Sequence, residues 1–483
     1  MEERTHLMQR YTHLLLIAGV MLCTSFGYGQ GYRISVDLNA FGDSTVYLAN
    51  YFGSKLYYAD TTIANKKGVA VFEGKEALPG GKYAIVVPGP TYFEVLVDED
   101  QDFDVETDSS DYIMNFSVKG SEANQLYYDY VQFINRKKAE VGELNEELSE
   151  FATDSVKSLE ITTAIVDINK SVQEEQRRIM KEYPDNWAAK VIGMSVPVDI
   201  PEAPKDENGV ITDSLFQYRY YLDHYFDHVP LKDAKIVRTP EFDRKLTDYF
   251  TTALLQHPDT MSKYADQMLA EVEYDEDLFK FVTHFCTYNF ETSKVMGMDA
   301  AFVHMVENYY MTGKATWMDS TSLAKVTERA MRIKPTLLGN KAPFMRLHDT
   351  TGTKFTSLYD VQADWTVVYI WDPECGHCKK ENPKMVDFYE RFKDRGVKVY
   401  SVGNPHENEE WIEYLREHED MNQLINVSDS PEHPSPFRTY YDVHSTPVVL
   451  LLDKEKKIVA KKVGVEQLEQ ILERKMKEAE NKS

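Results

Sequence analysis

Cys375-Gly376-His377-Cys378 places two thiols three residues apart with an imidazole between them. A thiolate is the nucleophile of disulfide exchange, and a second thiol one helical turn away can displace whatever the first has captured. The spacing therefore supports two-electron dithiol–disulfide chemistry. The same tetrapeptide could be half of a zinc knuckle, but a structural zinc site needs four ligands. No second C-x-x-C and no Cys/His pair at finger spacing occurs in the sequence.

What separates the two uses is the element on either side. The run Thr366-Val367-Val368-Tyr369-Ile370-Trp371 reads as a buried strand, and the residues after Cys375 follow an amphipathic helical period. Cys375 then stands at a helix N-terminus, where free N–H groups and the macrodipole favour a thiolate. Downstream the pattern predicts strand 397–402, helix 409–417, a strand at Ile425, strands 448–452 and 458–463, and helix 466–477. Strands alternating with helices argue for an α/β layer fold across 340–483.

This segment resembles the thioredoxin fold, and within it the TlpA/ResA-like family of extracytoplasmic thiol-disulfide oxidoreductases. Besides the dithiol, the residues that carry the likeness are Trp371 ahead of the motif, Pro383 inside the following helix, Thr446-Pro447 before the strand Val448 to Leu452, and Cys378-Lys379-Lys380-Glu381. The resemblance implies that Cys375 attacks and Cys378 resolves the mixed disulfide. It implies a cis peptide at Pro447, with Trp371, Thr446 and Pro447 on the substrate-binding side. It also implies that Glu381 adjusts the thiols and takes the proton of Cys378; a solvated helix residue paired with a lysine is the other reading of Glu381. No bound cofactor is required, while a membrane redox partner must reset the dithiol.

The sequence also departs from that pattern. Tyr369 stands where cytosolic thioredoxins keep a buried aspartate, and Glu374 replaces the usual tryptophan and adds negative charge beside the thiolate. His377 gives the Cys-Gly-His-Cys of protein disulfide isomerases, which moves the couple toward an oxidant. The span from thioredoxin to protein disulfide isomerase, about −270 to about −180 mV, is roughly 4 kcal/mol for two electrons. A peroxidase of the peroxiredoxin type is the nearest competing enzyme, but it has Thr or Ser where this chain has Asp372.

The rest of the chain sets the context. Of 483 residues, 79 are acidic and 54 basic, a formal charge of −25, which repels nucleic acid at long range. We expect a multidomain chain: a β-rich domain over 31–120, an α-helical domain over 121–335 that carries most of the acidity, and the α/β thioredoxin-like domain over 340–483. The first 29 residues, with Arg4, Arg10 and an apolar run over 14–22, read as a signal peptide cut between Gly29 and Gln30. Lipidation at Cys23 and an uncleaved anchor are the alternatives. Export would place the protein in the periplasm, where protein thiols and disulfides are its partners. The contrasting reading is an envelope binding or scaffold protein in which the thioredoxin fold is incidental.

Three further features have structural readings. Cys286, in a helical apolar pattern, is expected in the core. His224 and His228 stand four apart without a visible third ligand and read as a helix surface. The acidic stretch from Asp98 to Glu106 lacks the glycine of a calcium loop, and its alternation predicts a half-exposed strand.

Overall fold

The computed structural model describes residues 31–481 apart from 90, 406, 407 and 431. The expected signal peptide lies outside the described residues. The chain is multidomain, with a β-sheet region first, helices in the middle and an α/β sheet at the C-terminal end. It divides into two compact units that meet at Tyr249 and Phe250, inside the helical stretch.

The first unit holds strands β1 (Tyr32–Asp37), β2 (Thr45–Phe52), β3 (Lys55–Ile63), β4 (Val69–Gly74), β5 (Gly81–Val87), β6 (Thr91–Val97), β7 (Asp102–Glu106) and β8 (Ser117–Lys119). They form two four-stranded sheets, ordered β4-β1-β7-β8 and β3-β2-β5-β6. The acidic stretch does contain a strand: in β7, Phe103 and Val105 are buried while Asp102, Asp104 and Glu106 face solvent. Two long helices follow, α1 (Glu122–Glu150) and α2 (Ser155–Glu182), capped by the side chains of Ser121 and Asp154. Buried Asn124 ties α1 to β6, since its amide donates to the Leu96 carbonyl and accepts the Leu96 N–H, both at 2.7 Å. Shorter helices complete the unit: α3 (Trp187–Gly193), α4 (Phe216–Asp223) and α5 (Pro240–Asp248). Helix α3 starts after Asn186, whose side chain accepts the Ala188 N–H.

The second unit opens with helices α6 (Pro258–Val272), α7 (Glu276–Thr292), α8 (Asp299–Met305) and α9 (Ser320–Ile333). Cys286 is fully buried in α7, and burial pushes its thiol well above the ordinary range. The remainder is a seven-stranded sheet in the order β10-β9-β13-β12-β11-β14-β15. Its strands are β9 (Arg346–Asp349), β10 (Phe355–Ser357), β11 (Trp365–Trp371), β12 (Val397–Gly403), β13 (Ile425–Ser428), β14 (Val448–Leu452) and β15 (Ile458–Lys461). Strands β11, β12 and β13 run parallel, while β14 runs antiparallel to β11.

Helices α10 (Gly376–Phe392), α11 (Asn408–Glu417), α12 (Phe437–Tyr440) and α13 (Val465–Glu480) accompany the sheet. The pleat sorts β11 between two cores. Val367, Tyr369 and Trp371 join Met385, Phe388 and Leu468 on one face, and Val368 and Ile370 join Tyr400, Val402 and Leu450 on the other. Burial on both faces makes β11 a near-continuous apolar run, the composition of an interior parallel strand. Each such side chain withdrawn from water contributes roughly 1.5–3 kcal/mol, so the floor beneath the dithiol is rigidly held.

Candidate active site

Cys375 is the N-cap of α10, with extended backbone (φ −70°, ψ 117°), and its carbonyl accepts the Lys379 N–H at 3.0 Å. Its side chain is partly exposed, whereas Cys378, inside the first turn, is fully buried. Both thiols are free. The Cys375 Sγ–H donates to the Thr446 carbonyl at 3.3 Å, and the Asp372 N–H donates to Cys378 Sγ at 3.5 Å. The Thr446–Pro447 peptide is cis.

The two sulfurs differ electrostatically. Burial raises the Cys375 thiol, but hydrogen bonds at its sulfur from the Thr446 side chain, from Cys378 and from the His377 backbone N–H outweigh that, and it ends below its ordinary value. Burial pushes the Cys378 thiol up to about 12, with neighbouring Cys375 adding to the rise against the hydrogen bonds of Asp372 and Thr446. One thiol is therefore poised to be a nucleophile, and the other stays protonated until its neighbour has reacted.

His377 is exposed and, with Pro447 and Glu381, lines a cavity of about 530 Å³ beside the dithiol. Glu381 is largely withdrawn from solvent. Its carboxylate pairs with Lys384 at 3.0 Å and accepts the Val465 N–H at 3.3 Å, so a lysine partner and a place in the cleft wall coexist.

Trp371 requires a correction. Expected on the substrate-binding side, it is fully buried, and its indole N–H donates to Ser401 Oγ at 2.9 Å. Its position on the same face of β11 as Val367 and Tyr369 sends the ring into the core. Its contribution is to the floor of the site, not to substrate contact.

A buried polar chain that no sequence motif announces runs through that floor. Tyr369 takes the place of the missing aspartate, and its hydroxyl donates to Asn382 Oδ1 at 2.6 Å. Asn382 in turn donates to the Tyr414 hydroxyl at 3.0 Å, and the Tyr414 ring stacks on His418 at 4.0 Å. Burial drives the Tyr369 hydroxyl far above its usual range, so it is a fixed donor and not a proton store. The signal that could have found Asn382 is its type: an amide on the buried face of α10 needs partners.

A dithiol at the head of a helix, over a central mixed sheet with helices against it, defines a thioredoxin-like redox domain. Comparison with known proteins places it further. Residues 338–476 match the AhpC/TSA family. The thiol-disulfide oxidoreductase ResA of Bacillus cereus is 25% identical over 134 residues, which is 28% of this chain and 74% of that protein. The ResA of Bacillus subtilis is 30% identical over 121 residues, 25% of this chain and 64% of that one. A solved domain of a possible thiol-disulfide isomerase from Cytophaga hutchinsonii shares 40% identity, covering 30% of this chain and 97% of that domain, with a TM-score of 0.28. The C-terminal part is a thioredoxin-like domain with ResA proteins among its homologues, and the chain is a thiol-disulfide oxidoreductase. Upstream, residues 32–127 and 168–334 match families described as domains of unknown function, DUF4369 and DUF5106.

Proposed function

We propose that the protein exchanges dithiol for disulfide with protein substrates outside the cytoplasm, through Cys375 and Cys378. The observation that carries this reading is the asymmetry of the two thiols. Cys375 reaches solvent with a lowered pKa, and Cys378 lies beneath it with a raised one. In the reductive direction the Cys375 thiolate attacks one sulfur of a substrate disulfide. The substrate S–S bond breaks, one substrate thiolate leaves, and a mixed disulfide remains. Cys378 then loses its proton and attacks the Cys375 sulfur, releasing the second substrate thiol. The substrate gains two electrons and the chain loses them, so a membrane donor must return two electrons before the next turnover. Thr446 and Pro447 form the lip against which the substrate backbone lies, His377 tunes the couple, and Glu381, in the cleft wall, receives the Cys378 proton.

An extracytoplasmic setting is supported by the Arg-containing N-terminus, apolar run and small residues over 1–29. No helix among the described residues is long and apolar enough to cross a membrane. The test is reduction of insulin disulfides by the purified chain beside Cys375→Ser. We expect the variant to fall to the background rate, and Cys378→Ser to accumulate a mixed disulfide. Equal rates for wild type and Cys375→Ser would favour a binding protein with an incidental thioredoxin fold.

A further inference from the structure

Arg329 belongs to the segment of unknown function, on α9, yet it lines the cavity beside the dithiol together with His377, Asp442, His444, Pro447 and Lys462. Asp442 has a side chain only 2% exposed, and three groups converge on it. Arg329 Nη1 stands at 2.7 Å, His444 Nε2 at 3.0 Å and Lys462 Nζ at 3.5 Å. Two permanent cations share one buried carboxylate, and the side chains of Arg329 and Lys462 stay 32% and 51% exposed. The cavity wall therefore carries positive charge toward an incoming molecule. The other carboxylate in that wall, Glu381, is 22% exposed, accepts the Val465 N–H and pairs with Lys384, which it shares with the exposed Glu466 at 3.2 Å. Glu291, 3.7 Å from Arg329, is 41% exposed and lines a different hollow, so solvent screens it. On a chain with a formal charge of −25, the most exposed permanent charges of this wall are cations, while its carboxylates are the more buried groups.

We propose that Arg329 and Lys462 form an anion-selecting wall of the substrate cleft. The thiols and disulfides exchanged fastest are then those with a carboxylate side chain beside the reacting cysteine. This rests on the redox reading above and gives the end of the DUF5106 segment a role, since it brings a guanidinium to a site whose sulfurs lie in another domain. Arginine suits the place, because one edge of its planar fork holds Asp442 while other donors remain for a ligand.

The test follows the reduced full-length chain with two aromatic disulfides, dianionic dithionitrobenzoate and uncharged dithiodipyridine. The Cys375 thiolate attacks one probe sulfur, the probe S–S bond breaks and one aromatic thiolate leaves. Cys378, losing its proton, displaces the second, so the probe gains the two electrons that the dithiol loses. The readout is the ratio of the two initial rates, dianionic over uncharged. Asp442→Asn removes the neutralising carboxylate, and the ratio should rise about threefold at low salt. Arg329→Gln should lower it by a similar factor, about threefold, and the double variant, which removes one charge of each sign, should return close to wild type. High salt should draw all four ratios together. Should Arg329→Gln fail to fold, Asp442→Asn and the double variant still fix the order. An identical ratio in every folded variant would overturn the proposal. A chain that keeps the order yet reduces no insulin disulfide would overturn the redox reading and with it the substrate class, so the two failures are told apart.

Discussion

At the scale of single residues, the site is built on a difference between two chemically identical side chains. Cys375 has its pKa lowered by hydrogen bonds that outweigh burial, so its thiolate persists to lower pH than that of an ordinary thiol. Iodoacetamide at neutral pH should therefore modify Cys375 first and once, with a rate midpoint below that of a free cysteine, as mass spectrometry of the reduced protein would show. Two equivalent adducts would contradict the asymmetry. Cys378 works in the opposite sense on stability. Its thiol is raised to about 12 in the folded chain, against about 8.5 for an exposed cysteine. Below the lower value both states are protonated and pH has no leverage. Above it the unfolded chain ionises first, so the reduced protein loses stability as pH climbs from about 8.5 toward 12. We expect the urea midpoint of the reduced wild type to fall relative to Cys378→Ser between pH 8 and pH 10.5, roughly the lower part of that window. Parallel curves would remove the argument.

At the scale of elements, β11 and α10 hold the dithiol over a floor that contains the polar chain Tyr369–Asn382–Tyr414. Asn382→Ala leaves two buried hydroxyls without their partner and opens a small void, so it should cost about 2–4 kcal/mol in equilibrium unfolding. Tyr369→Phe, which orphans only one amide oxygen, should cost about 1–3 kcal/mol. A loss below 0.5 kcal/mol for the alanine variant, roughly that of a surface change, would mean the chain of hydrogen bonds is replaced by water.

These elements also show how far local pattern reaches. The limits of β11 and β14 and the helix opening at Cys375 follow from it, and the structure places them there. Strands β9 and β10, of four and three residues, are too short to carry a period. Asn382, Ser401 and Arg329 meet partners 13, 30 and 113 residues away, and spacing along the chain holds no record of such distances. Trp371 departs from expectation for a different reason. Family likeness marks it as part of the site, while its place in a continuous apolar run, available in the same sequence, puts it in the core.

At the scale of the whole molecule, the α/β domain and the compact unit that contains it begin at different residues. Pattern separates an α/β domain near residue 340, whereas compactness groups everything from Phe250 onward. Two buried charges cross the boundary near 340. Lys461, at the end of β15, is 4% exposed and ion-paired with Asp299 of α8, and burial pulls its pKa down even so. Asp442 is held by Arg329 of α9 in the same manner. A fragment starting at 338 strands Lys461 without Asp299, while Asp442 loses Arg329 but keeps Lys462 and His444. Removing one member of a buried pair costs about 3–5 kcal/mol, because the remaining charge is stranded away from water. The fragment 250–483 should therefore unfold at clearly higher urea than 338–483, with the gap reduced when Lys461→Met is introduced into the shorter piece. That substitution removes the stranded charge without restoring any helix packing. If it leaves the shorter fragment unchanged, the helices stabilise the sheet through apolar contact alone, and the Lys461–Asp299 pair is incidental to it.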